Sequence, residues 1–267
     1  MSIFQVFLWL PAPVVAVLFV LAVTVPAVAG CLLVHRYVPV GRRRLNNDVA
    51  GPLSSMVGIV YAVILAFVAI AVWEQFGAAE ALVQREASAA GDIGRQAEGY
   101  PEPLRTQVKT AMRAYVESVI SEEWPLQQRG RTTTRPWEIF ERAHTEVLHF
   151  EPQTKGQEAV HAEQLRDFNV LMDQRRARLH AAHQGIDPRV WSVMIAGTAI
   201  MVAFTWFFGT ESFRAHLLMT TLFGIAIGLV VYMVAELDYP FRGGTGVQPD
   251  SFQEVLDNMN RLSGRSR

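Results

Sequence analysis

Cysteine is nearly absent. The chain of 267 residues has a single one, Cys31. No internal disulfide can form, so a secreted disulfide scaffold is excluded. Charge is also scarce. Asp, Glu, Lys and Arg make up 18% of residues, against about 25% in a typical soluble protein. The formal net charge is −1, so no basic excess supports nucleic-acid binding. Motifs of catalysis are missing too. There is no glycine-rich phosphate loop, no serine or cysteine nucleophile motif and no H-E-x-x-H pair, so the sequence does not read as an enzyme and implies no cofactor.

The charge deficit is uneven. Residues 74–189 hold 18 of the 25 acidic and 15 of the 24 basic side chains. The flanks carry four long apolar segments. A bilayer core about 30 Å thick needs roughly 20 apolar helical residues, and each segment meets that length. The first runs free of Asp, Glu, Lys and Arg from Met1 to His35, densest over Val14–Val34. The others lie between Asp48 and Glu74, between Arg189 and Glu211, and between Arg214 and Glu236. Trp9, Tyr37, Trp73, Trp191, Tyr232 and Tyr239 stand near the ends, where amphipathic rings favour the interface. Pro26 is expected to kink the first span without abolishing it. Val28-Ala29-Gly30-Cys31 has the pattern of a lipoprotein acylation site. The first ten residues lack Lys and Arg, however, and the apolar run exceeds a signal peptide's, so a retained membrane helix is expected.

Small residues pattern the spans. Ser54, Gly58, Ala62 and Ala66 recur every four residues, and Gly224 and Gly228 form a G-x-x-x-G pair. Ala196, Ala199 and Ala203 share a face of the third span. Such stripes let helix backbones approach closely, within one protomer or along a pore or oligomer seam. No span carries Asp, Glu, Lys or Arg at its centre. That argues against a proton-coupled pump and leaves room for a channel with an apolar constriction. Sidedness stays open. Arg36, Arg42, Arg43 and Arg44 place the first loop in the cytoplasm and residues 74–189 outside. The arginines of the tail and Arg175, Arg176 and Arg178 argue the other way.

The middle segment reads as helices. The second span is expected to continue unbroken to about Glu98, followed by a helix from Leu104 closed by Trp124-Pro125. Further helices follow, from Pro136 to about Phe150 and from Gln157 to about His183. Glu141/His144, Glu146/His149 and Glu158/His161 have the Glu-x-x-His spacing of di-iron bundles. The first two diverge around one short helix, so chance pairing is expected instead. His180 and His183 beside Arg175, Arg176 and Arg178 suggest a solvated or headgroup-facing basic surface. Glu236 and Asp238 sit at the C-terminal end of the fourth span, where acids oppose the helix dipole. An arginine or a metal ion should offset them. A short amphipathic helix carries Phe252, Val255, Leu256 and Met259 in the tail.

The whole reads as an all-α integral membrane protein, with four transmembrane helices and a helical insertion between the second and third. Its parts are 1–52, the first span and basic loop; 53–73, the second span; 74–189, the insertion; 190–240, the last two spans; and 241–267, the tail.

Several motifs together carry a family resemblance. These are Tyr61-Ala62-Val63-Ile64-Leu65-Ala66-Phe67 leading into Trp73-Glu74-Gln75, then Glu86-Ala87, the Tyr115 helix and Glu123-Trp124-Pro125. The closing run is Leu237-Asp238-Tyr239-Pro240-Phe241, with Gly244, Pro249 and Phe252. Over roughly residues 45–260 the sequence resembles the bacterial bestrophin-like membrane proteins, departing at Tyr239, where arginine is expected. By analogy to true bestrophins the resemblance implies a homo-oligomeric channel for inorganic anions in a bacterial plasma membrane. It places Ile59, Val63, Phe67 and Ile70 along the pore, and Glu236 and Asp238 at a calcium site. The alternative is a non-conducting membrane protein whose insertion binds a protein partner or senses a signal.

Overall fold

The computed structural model describes residues 10–242 and 245–265. Trp9, Gly244 and Arg267 fall outside them. Among the described residues the regular structure is helical throughout. The helices are α1 (Ala12–Tyr37), α2 (Val40–Arg44), α3 (Asn47–Gln96), α4 (Leu104–Ser118), α5 (Trp124–Gln127), α6 (Arg135–Leu148), α7 (Lys155–Ala181), α8 (Pro188–Phe207), α9 (Phe213–Leu237) and α10 (Asp250–Arg265). Four of them, α1, α3, α8 and α9, are long and apolar enough to cross a membrane.

Local chemistry sets the boundaries. Asp187 caps α8 through the Arg189 N–H, with Pro188 in its first turn. Ser212 caps α9 through the Ala215 N–H, and Thr154 caps α7 through that of Gln157. Each side-chain oxygen satisfies a backbone donor that the helix itself leaves open. The expected stop at Trp124-Pro125 is not observed. A wide π-type turn, Val119–Glu123, carries the chain from α4 into α5, with Pro125 in the first turn of α5. Proline has no N–H to donate, and the wider turn absorbs the missing bond.

The chain divides into two compact units, Met1–Gln75 with Gly185–Asp238, and Phe76–Gln184 with Tyr239–Arg267. In the first unit, α1 and α9 approach at Gly224 and Gly228. A Cβ on Gly224 would stand 2.9 Å from the Thr24 Cα, and one on Gly228 2.7 Å from the Val20 Cα. Backbone thus rests on backbone, the contact small residues permit in a membrane. Trp206 of α8 lies over Gly30 of α1 and donates to the Ala27 carbonyl at 2.9 Å. Beside this seam Cys31 is fully buried, its Sγ 3.7 Å from Nδ1 of His216. The His216 Nε2 is 2.9 Å from the Thr205 carbonyl. Nε2–H therefore donates there, and Nδ1 accepts from the thiol.

The basic loop folds against the turn between α8 and α9. Asn47 bonds both backbone groups of Gly209 at 2.9 Å. Buried Arg43 donates to the Phe208 carbonyl at 3.3 Å, and Arg44 pairs with Glu211 at 2.7 Å.

In the second unit one apolar core joins the last turns of α3 to α4, α6 and α7. Phe241, Val247 and Phe252 belong to the same core, so the tail folds in rather than trailing free. Helix α10 lies where glycines give it room. Val255 stands over Gly91 and Met259 over Gly94.

Candidate functional site

The spanning part of α3 packs within its protomer through a narrow stripe. Tyr61, Leu65, Val68 and Val72 are buried, together with Met194 of α8 and Val231 and Val234 of α9. The Cδ2–Cε2 edge of the Tyr61 ring packs against Gly197, and its hydroxyl meets the Thr198 hydroxyl at 2.6 Å. This contact fixes which way α3 faces. On its open side stand Ile59, Val63, Phe67 and Ile70, exposed by 66%, 49%, 69% and 55%. They recur at four, four and three residues, so they form one row.

The small-residue stripe divides. Gly58 packs on the Met201 side chain of α8, and half-buried Ser54 bonds back to the Gly51 carbonyl. Ala62 and Ala66 are exposed beside the apolar row. A four-residue step on a helix turns about 400°, so it drifts roughly 40° each time. Three such steps carry the stripe from the packed side to the open one.

At the other end of the fourth span, Asp238 is buried and caps α9. It accepts from the Ile186 N–H at 2.5 Å and from the Trp191 indole at 3.0 Å. A backbone N–H and an indole N–H thus each bond one oxygen of the carboxylate. Glu236 is bonded by Tyr232. Among the described residues no three His, Cys, Asp or Glu side chains converge as metal ligands. Each Glu-x-x-His histidine has other company. His144 stacks on Phe140, His149 donates to the Thr145 carbonyl at 2.7 Å, and His161 meets the Tyr100 hydroxyl at 2.9 Å. At position 239, where arginine is expected, the Tyr239 ring lies under the Arg242 guanidinium at 4.2 Å.

The second unit holds a buried ionic cluster. Arg178 of α7 forks onto Glu86 of α3, with Nε 2.6 Å from Oε2 and Nη2 2.9 Å from Oε1. Its Nη1 reaches Gln127, and its Nη2 lies 3.5 Å from Glu123. Arg175 donates to both oxygens of Glu123 at 3.2 Å. The Tyr115 hydroxyl donates to Glu86 at 2.7 Å. All six side chains are buried. Two carboxylates balance two guanidinium groups, the condition under which buried charge is tolerated. Burial pushes the Tyr115 phenol well above its ordinary pKa, and the Glu86 charge adds to it. Burial alone would lower the Arg178 pKa, but the charge and bonds of Glu86 hold it above its usual value.

The expected basic surface at Arg175, Arg176 and Arg178 is therefore corrected. Only Arg176 faces solvent. Arg175 and Arg178 continue the buried row of Phe168 and Leu171, where the two glutamates neutralise them. Elsewhere in this unit a groove of about 1050 Å³ runs between α3, α4 and α10. Asp92, Arg95, Lys109 and Arg113 are among the residues lining it.

A family model described as the Bestrophin-like domain matches residues 21–252. Two crystal structures of point variants of a bacterial bestrophin homologue from Klebsiella pneumoniae share the fold, with TM-scores of 0.64 and 0.65. Each is 14% identical to this sequence, over 92% and 90% of this chain and 99% of theirs. A further crystal structure, described as a membrane protein, has a TM-score of 0.66 at 14% identity, over 90% of this chain and 97% of that one. Comparison with curated proteins gives no match.

Proposed function

Because the chain belongs to the bestrophin-like family, we propose that it is one subunit of an oligomeric membrane channel for inorganic ions. The spanning part of α3 lines the pore, and Ile59, Val63, Phe67 and Ile70 form an apolar neck. Anions are the permeant class by analogy to true bestrophins. The observation that carries this reading is the open side of α3. Ala62 and Ala66 find no use inside the protomer, and they flank a row of bulky apolar side chains. Small residues suit a close subunit seam, and apolar side chains suit a constriction that gates by dewetting.

Native mass spectrometry in detergent gives the first test, with a closed ring as the expected result. Flux from liposomes then gives the second. Phe67→Ala and Val63→Ala widen the neck and should raise flux several-fold. A monomer, or flux at the level of empty vesicles under all salts, would sink the proposal.

The charged groove between α3, α4 and α10 favours a second reading, in which the insertion binds a partner protein. It predicts a co-purifying protein that Arg95→Glu with Arg113→Glu releases while flux stays unchanged.

A further inference from the structure

Between Asp48 and Glu80 the only ionisable acid or base with a formal charge at neutral pH is Glu74. It lies seven residues beyond Phe67, eleven beyond Val63 and four beyond Ile70 on the same unbroken helix. At about 100° per residue these steps leave it within roughly 20–40° of all three. Its rise beyond Phe67 is about 10 Å. Glu74 is exposed and has no ion-pair partner among the described residues. Its neighbour Trp73 is 70% exposed, and an exposed tryptophan there marks the edge of the hydrocarbon. Glu74 is thus the first charged side chain along α3 beyond this end of the apolar row, and a ring of subunits would bring one such carboxylate from each.

We infer that Glu74 tunes charge selection at this mouth of the pore, where its carboxylate draws cations and holds back anions without setting which ion the whole path passes. The inference rests on the pore reading above. The apolar neck carries no formal charge and so cannot by itself sort ions by sign. A ring of carboxylates can. A unit charge about 5 Å from an ion changes its local concentration roughly four-fold even at the dielectric of bulk water. Salt screens this effect, with a Debye length of about 10 Å at 0.1 M and about 3 Å at 1 M. With the carboxylate in place this mouth is therefore less favourable to anions than the same mouth with a neutral residue at position 74.

The test is the reversal potential of the full-length chain in planar bilayers under a potassium chloride gradient. Glu74→Gln should shift the chloride-to-potassium permeability ratio toward chloride by about four-fold or more at 0.1 M salt. Glu74→Lys should shift it further, and both shifts should shrink near 1 M. Glu80→Gln removes an exposed acid about 120° round the helix, and should leave the ratio within two-fold of wild type. If Glu74→Gln and Glu74→Lys conduct with the wild-type ratio, the assignment of Glu74 fails and the pore stands. If neither wild type nor variants conduct above protein-free bilayers, the pore reading fails and takes this one with it.

Discussion

Arg178 and Glu86, 92 residues apart in sequence, meet as a two-pronged ion pair with neither side chain exposed to solvent. Tyr115 and Gln127 close the remaining sides. Removing one partner strands the other charge in the core. Arg178→Met should therefore cost about 3–5 kcal/mol. Thermal unfolding of the detergent-solubilised protein should show it as a clear loss of Tm. Adding Glu86→Gln to Arg178→Met should recover part of the loss, since the stranded carboxylate is gone.

Gly228 makes a second prediction. A methyl group there would press on the Val20 Cα, which is backbone and cannot rotate away. Gly228→Ala should lower Tm by prying α1 from α9. Gly77→Ala meets nothing within 4 Å, and by helix propensity it should be neutral or stabilising by up to about 1 kcal/mol. Equal Tm changes in the two variants would contradict this packing.

Asp238→Asn tests the end of the fourth span. The carboxylate accepts through both oxygens, from the Ile186 N–H and the Trp191 indole. An amide offers one oxygen and turns a donor toward the other. The expected cost is about 1–3 kcal/mol, together with a change in Trp191 fluorescence as the indole loses its partner.

Asp167 predicts a pH dependence. Burial raises its carboxyl pKa above the ordinary 3.8 despite a hydrogen bond from Gln96. The folded state therefore binds the proton more tightly than the unfolded state does. This group's contribution to stability is fully present below pH 3.8 and is lost as pH rises through the raised value. Asp167→Asn removes that penalty while keeping an oxygen for Gln96. Its Tm should exceed wild type at pH 7, and the gain should fade as pH drops toward 3.8.

The spans were readable because hydrophobic length is a local signal. So was the passage of the second span into the insertion, since no proline or glycine pair interrupts residues 53–96. The cluster around Arg178 was not readable as chemistry. Its pieces stood in the sequence as Glu86-Ala87, Tyr115 and Glu123-Trp124-Pro125, but arginines near a span end suggest a wet surface by default. One signal was there to use. Phe168, Leu171, Arg175 and Arg178 keep a single helical period, so the two arginines fall on the buried face. The direction of α3 was hidden for a different reason. A helix apolar all round does not say which side is packed, and it takes the tertiary contacts of Tyr61, Leu65, Val68 and Val72 to show it.

Cys31 has a practical consequence. As the chain's one thiol, enclosed at the seam of α1 and α9, it should stay silent toward water-soluble maleimides while that seam is shut. Reporter cysteines can then be introduced one at a time along α3 without first deleting it. Slow labelling of the unaltered protein becomes a clock for how often the helices part.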